Sequence, residues 1–226
     1  MSNCVGVNVD TTPAEILRKL SEGREYRNVA MSVRAKDPDG GGYIVEGYAT
    51  TFNTVYRLYD GTYYKIDEQV APQAFGECDM SDVIFQFDHT GRVFARTGNG
   101  TLKLDADAHG LRCWVDLSGT ETGRQLYEEI KGGYVTKMSF GFVVGEDRRE
   151  ETEDHDTGVI TVLRTITRIK KLFDVSAVSL PANDTTEISA RSYCDGVIAV
   201  LTEEHRKTEQ NRKNTETLKL LLEVTK

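Results

Sequence analysis

SGTETGRQLYEEIKGGYVTKMSFGFVVG, residues 118–145, decides the fold class. Ser118 with Glu121 fits a capping box. Leu126 and Ile130, four apart, share one helical face, so a helix is predicted from about Thr120 to Lys131. Gly132-Gly133 stops it, and a strand from Tyr134 to Gly145 leaves that stop. Within the strand, Phe140 and Phe142 point one way, and Ser139 and Gly141 point the other. One helix thus sits among strands.

Outward from this stretch the pattern stays β-rich. Val83 to Phe87 alternates as a strand, and period two places Val83, Phe85, Phe87 and His89 on one face. Two strands near Thr101–Ala106 and Leu111–Val115 flank a turn at Asp107–Gly110. Asp37-Pro38-Asp39-Gly40-Gly41-Gly42 is a turn signal between Val29–Ala35 and Tyr43–Phe52, which predicts a hairpin. Asp60-Gly61 marks another turn in the Tyr-rich stretch Tyr56–Tyr64, and Ala71–Phe75 reads as one helical turn. An acidic loop is predicted at Glu146–Asp156, then a long β-rich run, Val159–Leu180, ended by Pro181.

The sum predicts an α+β fold: a mostly antiparallel, barrel-like sheet with helices around it. Residues 1–27 read as a leader with a helix start at Thr12-Pro13. Residues 28–194 form the expected domain. Residues 195–226 are expected to be a polar tail that serves as a scaffold linker or self-cleavage region, and Thr202–Lys226 within it reads as a solvated helix or a disordered linker.

Net charge is −8 and pI about 5.1. Nonspecific DNA binding draws on Lys and Arg that neutralise phosphates, so an acidic chain argues against nucleic acid as a partner. Arg164, Arg168, Lys170 and Lys171 read as a solvated strand face. No apolar run approaches the roughly 20 residues of a membrane helix, and no secretory signal is visible. Cys4, Cys78, Cys113 and Cys194 form no CxxC pair and lack a basic setting. No P-loop, dinucleotide or HExxH motif is present, so no metal or cofactor is expected.

Nucleophilic hydrolysis needs a hydroxyl or thiol, a base, and a group to orient that base. Ser139 is a candidate because Gly141, two along, would let a substrate chain approach. His89 is the candidate base. Asp88 falls on the opposite face of a regular strand and is a poor orienter. Asp174 is a carboxylate within an apolar strand, where burial demands a partner. Each has an ordinary alternative: a strand serine, a satisfied histidine, an edge aspartate facing water. His109 in a turn, His155 in the acidic loop and His205 in the tail read as exposed.

Four blocks together resemble the prohead protease family of tailed phages. They are Glu46–Phe52 followed by Ile66–Phe75; Phe87-Asp88-His89-Thr90; Gly123-Arg124 with Gly132-Gly133 and Lys137–Phe142; and Asp174–Asn183. The resemblance spans about residues 28–190. It implies that His89 is the base and Ser139 the nucleophile of a serine endopeptidase. Asp174 stands where the family usually has Glu, and takes the third place. The family is similar in fold to herpesvirus assemblins, whose third member is a second His, which keeps His109 as a rival.

The resemblance also implies substrates: scaffold, major capsid protein and the chain itself. The expected setting is virion maturation inside the procapsid of a bacteriophage, in the host cytoplasm. A homodimer is among the implied partners, and no membrane is. Two rivals come from other classes: a noncatalytic scaffold or assembly protein on the same fold, and a nucleic-acid-binding β-barrel, against which the acidic balance and the missing base-stacking motif weigh.

Overall fold

Ile160–Val178 forms one strand of 19 residues, and the architecture is arranged around it. In the computed structural model, which describes residues 23–29, 34–36, 42–179 and 184–224, this strand is β11. Before it run β1 (Glu25–Val29), β2 (Arg34–Lys36), β3 (Ile44–Thr51), β4 (Tyr56–Asp60), β5 (Tyr64–Val70) and β6 (Ile84–Phe87). Then come β7 (Thr90–Arg96), β8 (Leu102–Ala106), β9 (Gly110–Asp116), helix α1 (Glu121–Lys131) and β10 (Lys137–Glu153). Helix α2 (Asp184–Val224) closes the order.

The strands form two sheets. A seven-stranded sheet runs β1-β10-β11-β5-β4, with β6 also on β11 and β7 on β6; a four-stranded sheet runs β2-β3-β9-β8. One bridge, Phe52 to Val70, links them. Among the described residues no closed barrel forms, so the barrel-like expectation gives way to two sheets. The strand pairing is mostly antiparallel, as expected, with two parallel exceptions. β5 pairs parallel with β11 over Ile160–Ile166, and β6 does so over Asp174–Ala177. β10 covers the other edge of β11 along its whole length.

Several local expectations change. Glu146–Glu153 is not loop but the outer half of β10. Its acids face cations of β11, with Glu146 paired to Arg168 and Asp147 to Arg164, and such cross-strand pairs favour the extended ladder. The turn that remains is short, and Asp154 Oδ1 accepts from the Asp156 and Thr157 amides. The cap of α1 is Thr120, whose Oγ1 accepts from Gly123 N at 3.0 Å; Ser118 instead turns its amide to Asp116 Oδ1. Val29–Ala35 is not one strand. Val29 ends β1 in the larger sheet, whereas Arg34–Lys36 pairs with β3 in the smaller. Ala71–Phe75 makes successive hydrogen-bonded turns rather than helix.

The main core lies between the sheets and under α1. Val45, Phe85, Leu111, Leu126, Phe140, Phe142 and Val175 belong to it. A second cluster joins the first turns of α2, through Tyr193, Cys194, Val197 and Leu201, to Ile66, Ile160 and Val162. From residue 202 to 217 the helix is polar and mostly exposed and carries Glu203–Arg206 and Glu209–Arg212 pairs. Of the stretch read as a solvated helix or a linker, residues 202–224 are helical. The sequence boundaries at 27/28 and 194/195 fall inside β1 and α2. The Thr12-Pro13 helix start and Cys4 lie outside the described residues. Among the described residues no helix is long and apolar enough to cross a membrane.

A buried ion cluster ties β1 to this frame. Arg27 donates to both Glu68 oxygens, at 2.5 and 3.0 Å, and pairs with Glu25. Arg164 reaches Glu25 and Glu68 at 2.8–3.0 Å and Asp147 at 2.6 Å. Its guanidinium lies 3.9 Å from the centre of the Tyr193 ring. Arg164 is therefore fully buried and not part of a solvated face. The carboxylates fix it there, because a buried charge survives only when paired.

Candidate active site

Two adjacent strands and one hairpin turn converge at the site. β10 and β11 pair so that Ser139 lies opposite Ser176 and Gly141 opposite Asp174. Period two puts Asp174 and Ser176 on one face of β11, the face that Ser139 and Gly141 present on β10. The phenylalanines beside Ser139 point into the core, where Phe140 and Phe142 stack at 4.5 Å.

His89 arrives by a different route from the one expected. β6 ends at Phe87, and Asp88 and His89 form a two-residue turn, with Phe87 paired to Thr90 of β7. Both turn residues have positive φ, 48° and 55°, as a type I′ hairpin turn requires. His89 is therefore not on the Val83–Phe87 face; the turn swings its ring over β11. Asp88 holds the turn in place. Its amide donates to Ala177 O at 3.0 Å, and its carboxylate accepts from Ser179 N and Oγ at 3.0 and 2.9 Å. The residue set aside as an orienter of the ring instead orients the turn that carries it.

The side chains then meet in line. His89 Nε2 is 2.5 Å from Ser139 Oγ, and His89 Nδ1 is 2.5 Å from Asp174 Oδ2. Ser176 Oγ donates to Asp174 Oδ2 at 2.9 Å and lies 3.2 Å from His89 Nδ1. Arg24 pairs with the other carboxylate oxygen, Asp174 Oδ1. Burial alone would raise the Asp174 carboxyl, but hydrogen bonding and charge from His89, with Arg24 and Ser176, outweigh it and lower its pKa. Asp174 is ionised at neutral pH on that account. A carboxylate at Nδ1 places the ring proton there and leaves Nε2 as an acceptor facing the serine.

Asp174 is fully buried on a strand flanked on both edges, so the reading of an edge aspartate facing water is overturned. His109 takes no part in this line. It sits exposed in the β8–β9 turn with its ring against Tyr48 at 4.6 Å. His155 and His205 are exposed as well. The free thiols are withdrawn from chemistry by burial, which pushes Cys78 up to about 11 and Cys113 and Cys194 up to about 12. Among the described residues no group of His, Cys, Asp or Glu is arranged to hold a metal ion.

Four participants escaped the sequence reading. Ser176 was within reach of it, because period two from Asp174 lands on it. Arg24, Tyr26 and the Arg27 carbonyl left no local signal; Arg24 meets Asp174 across 150 residues of chain. Ser139 Oγ lies 2.8 Å from Arg27 O, and the Tyr26 ring stands edge-on to His89 at 4.6 Å.

Comparison with known proteins gives one match. The sequence model of the family described as Caudovirus prohead serine protease covers residues 29–196. No curated protein and no solved structure matches the chain.

Proposed function

The chain belongs to the Caudovirus prohead serine protease family, and on that premise we propose that it is a serine endopeptidase acting through Ser139, His89 and Asp174. The observation that carries the reading is the unbroken line from Asp174 Oδ2 through both nitrogens of His89 to Ser139 Oγ, with each link 2.5 Å. A scaffold protein without chemistry would have no need of a buried carboxylate aligned on an imidazole.

The mechanism follows from these contacts. His89 Nε2 takes the hydroxyl proton as Ser139 Oγ bonds to the scissile carbonyl carbon, and the π electrons move to oxygen. Asp174 keeps the Nδ1 proton in place and stabilises the imidazolium, without itself accepting that proton. The tetrahedral species collapses, and His89 Nε2 delivers the proton to the leaving amine as the C–N bond breaks. Water then repeats the sequence on the acyl-enzyme and restores the serine. Ser176 Oγ donates to Asp174 Oδ2 throughout, as its second partner beside His89.

The protein substrates in this proposal are scaffold, major capsid protein and the chain itself, cut during maturation within the phage procapsid. No cofactor enters the mechanism. Co-expression with the capsid and scaffold proteins of the same phage, read by intact-mass spectrometry, tests it. The wild type is expected to shorten those proteins and to lose mass at one of its own ends. Ser139→Ala is expected to leave all of them whole while folding normally. Cleavage retained by Ser139→Ala would sink the assignment.

A further inference from the structure

The backbone face over Gly141, expected to admit a substrate chain, is occupied by this chain's own N-terminal side. β1 pairs with β10 with Tyr26 opposite Gly141 and Asn28 opposite Ser139. A methyl group on Gly141 would fall on the Asp174 carboxylate and within 2.8 Å of Tyr26 Cε1 and 3.0 Å of Arg24 Nε. Arg24 spreads over the Phe173 ring at 4.6 Å and the Tyr26 ring at 4.9 Å. Resting on the reading of Ser139 as nucleophile, we propose that residues 24–27 form an autoinhibitory cap, so that a peptide reaches Ser139 only after Arg24 and Tyr26 swing off Gly141.

Two independent effects make the capped state inactive. The first is access: Ser139 is fully buried and the His89 side chain is 2% exposed, which leaves no room for a carbonyl carbon. The second is charge. Arg24 neutralises the carboxylate whose negative charge should stabilise the imidazolium in the transition state, and in a buried site that loss is felt strongly.

The cap is built to move without unravelling the fold. Period two splits the segment. Glu25 and Arg27 face the buried ion cluster and anchor it, whereas Arg24 and Tyr26 face the active site. Arg24 is 35% exposed, so its side chain can exchange the Asp174 contact for water. Its pairing with Asp174 is made and broken at the surface end of the site, and β1 stays in its sheet.

Two readouts on the full-length protein test the cap in wild type, Arg24→Ala, Tyr26→Ala and the double variant. Diethylpyrocarbonate modification of His89, measured by peptide mapping, needs no catalysis; exposed His109, His155 and His205 serve as internal references. A fluorophosphonate probe reads Ser139 itself. A minor open state of such equilibria holds about 0.1–10% of molecules, so removing the cap is expected to speed both reactions about 10- to 1,000-fold. The single variants should fall between, with thermal unfolding midpoints near wild type.

Equal His89 modification in wild type and double variant, at the reference rate, would overturn the cap whatever Ser139 does. A probe rate that falls in the folded Arg24→Ala protein would overturn it too, by making Arg24 a helper of Asp174. If His89 opens in the double variant but no form labels at Ser139, the nucleophile assignment fails, and the cap as an inhibitor fails with it.

Discussion

At position 174 a carboxylate one methylene shorter than the Glu that the resemblance implies still lies 2.5 Å from the His89 ring. The structure supplies the missing reach from the other side: the turn at Asp88-His89 delivers the ring to the carboxylate. That turn needs two residues in the left-handed region, where Asp and His are tolerated better than most. The alternating run Val83–Phe87 carries no local mark of the turn that follows it, so strand periodicity continued to His89 misplaces the ring. Ser139, His89 and Asp174 each have an ordinary alternative taken singly; it is the joint order of the four sequence blocks that sets them apart. Gly141→Ala would press a methyl against the Asp174 carboxylate, Tyr26 and Arg24. Displacing the carboxylate by even about 1 Å is expected to cost on the order of 10²-fold in peptide hydrolysis. Single-turnover kinetics on a folded Gly141→Ala protein check this; unchanged rates would mean that the carboxylate position is unimportant.

Among the elements, β1 carries the largest surprise. Its sequence, Glu-Tyr-Arg-Asn-Val, straddles the expected end of the leader, yet it supplies Arg27 to a buried cluster with Glu25, Glu68 and Arg164. Nothing local announces this, since the partners lie up to 139 residues away. Burial pushes the Glu68 carboxyl up, but Arg27 and Arg164 outweigh it and hold it down to about 2 against an ordinary 4.5. The unfolded chain therefore binds a proton at Glu68 before the folded one does. The resulting stability is complete above about 4.5 and is lost as pH falls toward about 2. Glu68→Gln leaves two arginines short of a countercharge and is expected to cost about 3 kcal/mol at neutral pH. It should also flatten the acid limb of the stability curve. Denaturant melts of both proteins from pH 6 to 2 give the comparison, and an equally steep limb in the variant would contradict it.

For the whole molecule, the alternation of strands and the single glycine-stopped helix were enough to name the α+β class. The partition into two sheets was not legible, because it depends on which edges meet. Parallel pairing of β11 with both β5 and β6 joins segments separated by much of the chain, and local pattern carries no record of that. The long helix shows the same limit in reverse: its polar half was readable, and its buried half was not. Tyr193 packs under Arg164 and receives a hydrogen bond from Arg149 at 3.0 Å. Tyr193→Ala is expected to destabilise the fold by about 3 kcal/mol. Ending the chain after Leu201 should change stability by no more than about 0.5 kcal/mol, since exposed side chains contribute little. Equilibrium unfolding of the two variants separates these cases. A large loss from the truncation would show that the polar half is held against the body of the protein.

The order in which the three site residues leave the ribosome follows from the place of β11. Histidine 89 emerges first, serine 139 next, aspartate 174 last, and the hairpin turn has nothing to rest on until Ala177 and Ser179 are in place. A nascent chain lacking its final strand thus has a hydroxyl and an imidazole with no surface to bring them together. Translation itself delays the birth of the aligned trio until the stretch through Ser179 has been made.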